Sequence, residues 1–133
     1  MKASEKQQRL EIVNQLIKYI SEHGRRFFWT KGTIKQDGVD SLAYMKLKNG
    51  RLYFVDNYTL KEIPIIDNGH RWHGFSHGGT LRALVQDFAD FIRTGKYSNG
   101  NHGYGGLYCG HWGHSDEIQN EIIRYAKDIG YLK

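Results

Sequence analysis

The sequence predicts an α+β fold in which an N-terminal helix precedes an antiparallel meander sheet of four to five strands, with two C-terminal helices packed on one face. Apolar residues recur with helical spacing at both ends of the chain, and strand-like segments with two Asn-Gly pairs fill the middle. The 133 residues contain no visible repeat or linker. We therefore expect residues 1–133 to form a single domain.

The N-terminal helix is predicted over Ser4–His23. Apolar residues repeat at intervals of three and four and form one stripe: Leu10, Val13, Leu16, Ile17 and Ile20. Ser4 and Gln7 have the spacing of a capping box, and Gly24 is placed to end the helix.

The central part of the chain has the signals of an antiparallel meander. The strand-like segments are Arg25–Lys31, Ser41–Leu47, Arg51–Asp56, Leu60–Ile66 and His70–Phe75. Asn49-Gly50 predicts a tight hairpin between the second and third of these. Because proline cannot donate a hydrogen bond, Pro64 places the fourth at an edge or a bulge.

Two further helices are predicted, over Thr80–Arg93 and Ser115–Ile129, each with an apolar stripe. Asp87 and Asp90 fall on the polar side of the first, where we expect them to be solvated or paired with Arg82 or Arg93. A loop with six glycines, Tyr97–Gly113, lies between the two helices. A loop of this length in a compact domain is usually functional or mobile.

The positive charge of the chain is concentrated in one segment. The net charge is +5, and residues 25–51 contain seven basic side chains against two acidic ones. Five of these predict a basic surface: Arg25, Arg26, Lys46, Lys48 and Arg51. Interleaved with aromatic residues, such a surface suits the phosphates and bases of a nucleic acid. The alternative is an ordinary solvated sheet face whose aromatic residues point into the core.

The junction Arg71–Leu81 predicts an anion-binding turn, because a glycine-rich segment leads directly into a helix N-terminus. The candidate ligand-binding residues are Arg71, Ser76, His77, Gly78, Gly79 and Thr80. The alternative is a tight turn in which Thr80 only caps the helix. No lysine follows the glycines, so the signature of a nucleotide-hydrolysing phosphate loop is missing.

Metal binding is a weaker alternative. Cys109, His111 and His114 carry zinc-ligand side chains, but their spacing matches no standard finger. We therefore predict neither a metal nor a cofactor. A single cysteine excludes an intrachain disulfide, and no apolar run approaches the length of a membrane span. These features predict a cytoplasmic protein of the host cell that does not bind membranes.

Four segments of the chain have a characteristic order and spacing: Gly24–Phe28, Gly50–Thr59, Arg71–Arg82 and Ile92–Gly95. They resemble segments of a group of small uncharacterised proteins found in bacteriophages, plasmids and their hosts. The chain differs from that group at His73, where arginine is familiar, and at His111 and His114. The resemblance implies a mobile-element setting but no particular mechanism.

These observations predict a non-enzymatic accessory protein that binds nucleic acid, a nucleotide or a host protein. The phage setting suggests an inhibitor of a host defence system. One alternative is an enzyme acting on a phosphorylated or nucleotide substrate, with His77 as acid and base. Another is an assembly protein whose partner contacts Tyr104 and Trp112 in the glycine-rich loop. The sequence is also compatible with a homodimer.

Overall fold

The computed structural model describes residues 2–23, 29–30, 41–55, 61–65, 79–96, 107 and 115–132. Three helices and five short strands lie within these residues. In chain order they are α1 (Lys2–His23), β1 (Trp29–Thr30), β2 (Ser41–Leu42), β3 (Tyr44–Lys48), β4 (Arg51–Val55), β5 (Glu62–Pro64), α2 (Gly79–Thr94) and α3 (Asp116–Asp128). The α+β class is therefore confirmed.

The helix α1 forms where the sequence predicts it, and its apolar stripe is buried from Leu10 to Ile20. Its first residue is Lys2, so Ser4 lies inside the first turn. The expectation that Ser4 caps this helix is wrong, because an N-cap residue precedes the first helical residue.

The ends of α2 and α3 follow local signals in the sequence. Ser115 caps α3, where its hydroxyl accepts a hydrogen bond from the Ile118 amide at 3.3 Å. Gly95 follows α2 with a φ of 77° and donates to the Phe91 carbonyl at 2.8 Å. This left-handed conformation after a helix favours glycine.

The main sheet has three antiparallel strands in the order β3-β4-β5. The predicted hairpin is confirmed, since β3 and β4 are joined by Asn49 and Gly50, which have positive φ values of 53° and 78°. The strand β5 lies at the edge, as its proline requires.

The predicted meander of four to five strands is not confirmed as one sheet. The predicted strand Ser41–Leu47 divides at Ala43: β2 pairs with β1 in a separate two-stranded sheet, whereas β3 pairs with β4. The predicted strand His70–Phe75 lies outside the described residues.

The helix α1 occupies the centre of the packing, because it contacts β3, α2 and α3. One buried apolar cluster joins these elements to the inward residues of the sheet, which are Met45, Leu52, Phe54 and Ile63. We call the side of β3, β4 and β5 that faces away from this cluster the outer face of the sheet.

Candidate binding site

The outer face of the sheet brings together three of the basic residues that the sequence predicts as a binding surface. In the strand register, Lys46 lies opposite Tyr53, and Lys48 lies opposite Arg51. Residues that face each other across an antiparallel pair project from the same side of the sheet. Tyr44, two residues before Lys46, shares this side and is 42% exposed. We call Tyr44, Lys46, Lys48, Arg51 and Tyr53 the basic sheet face.

The opposite side of these two strands is apolar and faces the core. Met45, Leu52 and Phe54 are buried there, and Leu47 packs against them. The alternation therefore places the charged residues of β3 and β4 on the other side, which also includes the buried Val55. Tyr44 shows that the aromatic residues of this segment do not all point into the core.

Glu62 on β5 is the acidic residue that contacts this face. Its carboxylate accepts a hydrogen bond from Lys46 Nζ at 2.5 Å and lies 3.5 Å from Lys48 Nζ. The hydrogen bond and charge of Lys46 lower the pKa of Glu62, and Glu62 in turn raises the pKa of Lys46. One carboxylate is shared by two lysines, and Arg51 adds a third cation, so positive charge remains in excess.

The other predicted parts of the basic and partner-binding surface are not described. Arg25, Arg26, Tyr104 and Trp112 lie outside the described residues. Their association with the basic sheet face therefore stays a prediction.

The predicted anion-binding turn is described only at its end. Gly79 and Thr80 are the first two residues of α2, and their amides belong to the first turn, which has no preceding helical carbonyls to bind. Arg71, Ser76, His77 and Gly78 lie outside the described residues, so anion binding at this turn stays a prediction.

The structure does not describe the metal-ligand alternative either, because Cys109, His111 and His114 lie outside the described residues. Within the part of the chain that is described, no three histidine, cysteine or acidic residues are grouped as metal ligands would be. None of the helices in that part combines the length and apolar character needed to cross a membrane.

Asp87 is a buried carboxylate, although solvation was one of the two arrangements expected for it. It is 0% exposed, and the neighbouring Gln86 is 1% exposed. The expectation that Asp87 is solvated on a polar face is wrong, because every residue of α2 from Leu84 to Ala89 is buried. The apolar stripe alone cannot show this, since burial of the polar side depends on what packs against it.

Gln86 also has a polar neighbour on its own helix. Its amide Nε2 donates to the Asp90 carboxylate at 3.5 Å, one helical turn further on. Asp87 interacts with a neighbouring group as well. The buried polar side chains of α2, Gln86 and Asp87, therefore both interact with other groups of the protein.

Comparison with known proteins shows where the chain belongs. The family model described as YoqU matches residues 3–133. The chain is 34% identical over 141 residues to the SPbeta prophage-derived uncharacterized protein YoqU of Bacillus subtilis strain 168, with 100% of this chain and 89% of that protein covered. No solved structure matches the chain significantly. The match over nearly the whole chain and the identity to the prophage protein agree: this protein belongs to the YoqU family.

Proposed function

We propose that this protein is a phage accessory protein that binds single-stranded nucleic acid through the basic sheet face. The observation that carries the proposal is the placement of Lys46, Lys48 and Arg51 on one side of two adjacent strands, together with Tyr44 and Tyr53. The prophage origin of the B. subtilis relative supports the mobile-element setting.

The chemistry of this face suits a flexible polyanion. Lysine and arginine neutralise phosphates and release the counterions that surround them. An exposed tyrosine offers a ring on which a base of any sequence can stack, and Tyr44 is 42% exposed. A single strand can follow both kinds of contact because its bases are not held in a duplex.

Inhibition of a host defence system is the accessory role that we propose for this binding. The prophage setting of the relative supports this role. A basic face that binds nucleic acid would compete with a host enzyme for the same nucleic acid. Binding to a nucleotide or a host protein remains part of the proposal at the predicted turn around His77. An acid–base role for His77 and a partner surface at Tyr104 and Trp112 rest on residues outside the described ranges.

The first test measures binding of a fluorescent oligothymidine by anisotropy over a series of salt concentrations. The triple variant Lys46→Gln, Lys48→Gln and Arg51→Gln should bind more weakly. Each lost phosphate contact should reduce the slope of log K against log salt by about 0.7, so the triple variant should lose about 2.

The matched control removes three exposed cations from helices, through Lys18→Gln, Arg124→Gln and Lys127→Gln. It lowers the net charge equally but leaves the basic sheet face intact. The proposal would be overturned if the two triple variants had equal slopes of log K against log salt, or if the affinity of the wild type did not depend on salt concentration.

The second test addresses stacking. Tyr44→Ala should weaken binding by about 1–3 kcal/mol if one base stacks on this ring. Tyr44→Phe is the control, because it keeps the aromatic face and removes only the hydroxyl. If the Tyr44→Ala and Tyr44→Phe variants bind the oligonucleotide equally well, Tyr44 does not stack on a base.

A further inference from the structure

An open cleft of about 430 Å³ lies beside the turn of the β3–β4 hairpin. Its basic residues come from three different elements: Lys6 from α1, Arg51 from β4 and Arg93 from α2. Its remaining lining residues are Leu47, Gly50, Leu52, Pro64 and Ile65. Among the described residues, the cleft thus combines three cations with an apolar wall and has no acidic lining residue.

Two described carboxylates near this region are engaged elsewhere. Glu5 lies 3.9 Å from the guanidinium of Arg9, and Glu62 accepts from the lysines of the basic sheet face. Among the described residues, Lys6 and Arg51 have no carboxylate within ion-pair distance. Lys6 and Arg51 are like charges at one cleft and repel each other, and a bound anion would relieve that repulsion.

The wall that carries Arg93 is held in place by hydrogen bonds. Arg93 Nη2 donates to the Ile65 carbonyl at 3.1 Å, which fixes its guanidinium at the edge of the sheet. Arg9 donates to the carbonyls of Ile92 and Arg93 at 2.8 and 3.4 Å and ties the end of α2 to α1. A ligand would therefore meet a partly preorganised cation, which reduces the entropy cost of binding.

The apolar wall indicates that the ligand is more than an inorganic ion. Leu52 and Ile65 are buried, and Gly50 leaves open space where a side chain would stand. The volume of the cleft falls in the range of small-molecule sites, about 300–1,000 Å³. Such sites combine apolar walls with a few polar groups that orient the ligand.

We propose that this cleft binds a small organic phosphomonoester, with the phosphate held by Lys6, Arg51 and Arg93 and the apolar body placed against Leu52 and Ile65. Arginine favours phosphate because its planar guanidinium can donate two parallel hydrogen bonds to two oxygens. This site differs from the basic sheet face, although Arg51 belongs to both.

The test uses phenyl phosphate as the probe and isothermal titration calorimetry as the measurement. Phenyl phosphate should bind saturably and more tightly than inorganic phosphate, because only phenyl phosphate has an apolar ring that can contact the apolar wall of the cleft. Lys6→Gln should weaken it about tenfold, as loss of a charge-assisted hydrogen bond predicts. Lys18→Gln, at an exposed position on the same helix, should bind as the wild type does.

Three outcomes would overturn this site: no saturable binding of phenyl phosphate, equal affinity for inorganic phosphate, or equal weakening by Lys6→Gln and Lys18→Gln. Tighter binding of benzoate than of phenyl phosphate would reassign the site to carboxylates and overturn the phosphomonoester assignment. The double variant Lys46→Gln and Lys48→Gln should lose oligothymidine affinity and keep phenyl phosphate affinity. Failure at one surface is thereby distinguished from failure at the other.

Discussion

Asn14 is the residue that links α1 most directly to the sheet. Its side-chain Nδ2 donates to the Met45 carbonyl at 3.0 Å, and its Oδ1 accepts from the Met45 amide at 2.7 Å. Since β3 lies at the edge of its sheet, this amide side chain takes the position of a neighbouring strand at one residue. It satisfies both backbone groups of Met45, whose side chain is buried.

We expect Asn14→Ala to lower the free energy of unfolding by about 2 kcal/mol, because two partly buried backbone groups lose their partner. Urea denaturation measures this directly. Gln15→Ala, at an exposed position one residue along the same helix, is the control and should change stability little. If both variants unfold at the same urea concentration, the Asn14 hydrogen bonds contribute no net stability.

The ion pair of Glu62 and Lys46 makes the stability of the sheet depend on pH. Because the hydrogen bond from Lys46 lowers the pKa of Glu62 in the folded state, the pair stabilises the fold above the ordinary carboxyl pKa of 4.5. That contribution is lost as the pH falls through the folded-state pKa. The pKa of Lys46 is raised, so its contribution is present below 10.5 and is lost at higher pH.

The pH effect can be tested with Glu62→Gln. Relative to this variant, the wild type should lose stability as the pH falls below about 4.5 and through the lowered pKa of Glu62 in the folded state. Glu121→Gln on α3 is exposed and should follow the wild-type profile. Thermal unfolding across this range, at low and high salt, measures the difference. Parallel curves for the wild type and Glu62→Gln would show that the ion pair adds nothing.

At the scale of elements, the β3–β4 hairpin is specified by its turn. Asn49 and Gly50 both have positive φ, as a two-residue type I′ turn requires. The turn sets the register that places Lys46 opposite Tyr53 and Lys48 opposite Arg51. The basic sheet face therefore depends on this short segment.

We expect Gly50→Ala to destabilise the protein by about 1 kcal/mol, since a side chain disfavours its φ of 78°. No atom lies within 4 Å of the position that the new Cβ would occupy, so the cost comes from the backbone and not from a clash. Asn49→Gly is the control, because glycine adopts positive φ readily. A thermal midpoint for Gly50→Ala equal to that of Asn49→Gly would contradict this account.

At the scale of the molecule, the packing encloses α2 on all sides between Leu84 and Ala89. This enclosure places Asp87 in the interior, where a carboxylate is stable only with polar partners. Such a residue is sensitive to substitution because its removal leaves the group with which it interacts without that contact.

Asp87→Ala should therefore lower the free energy of unfolding by about 3 kcal/mol, as expected when one member of a buried polar group is removed. Asp128→Ala, at an exposed position of α3, is the matched control and should stay within about 0.5 kcal/mol of the wild type. Chemical denaturation of both variants at neutral pH makes the comparison. If Asp87→Ala and Asp128→Ala have similar free energies of unfolding, the Asp87 carboxylate does not contribute to the stability of the fold.

The sequence by itself determined the features that depend on neighbours along the chain. The spacing of Leu10 to Ile20 predicted α1, Ser115 predicted the start of α3, and Asn49-Gly50 predicted the hairpin. Each signal arises from backbone geometry or from a period of 3.6 or 2 residues, which local chemistry sets. Lys46, Lys48 and Arg51 were predicted as part of a larger basic surface because the positive charge of the chain is concentrated in residues 25–51.

What each surface packs against follows from the tertiary packing and not from local sequence. The tertiary packing divided the predicted strand Ser41–Leu47 at Ala43, buried Asp87, and brought Lys6, Arg51 and Arg93 to one cleft from positions far apart in sequence. A periodic pattern identifies an apolar side of an element but does not show which element covers its polar side. That choice depends on contacts between distant segments, whose free energy is gained only when the whole chain packs.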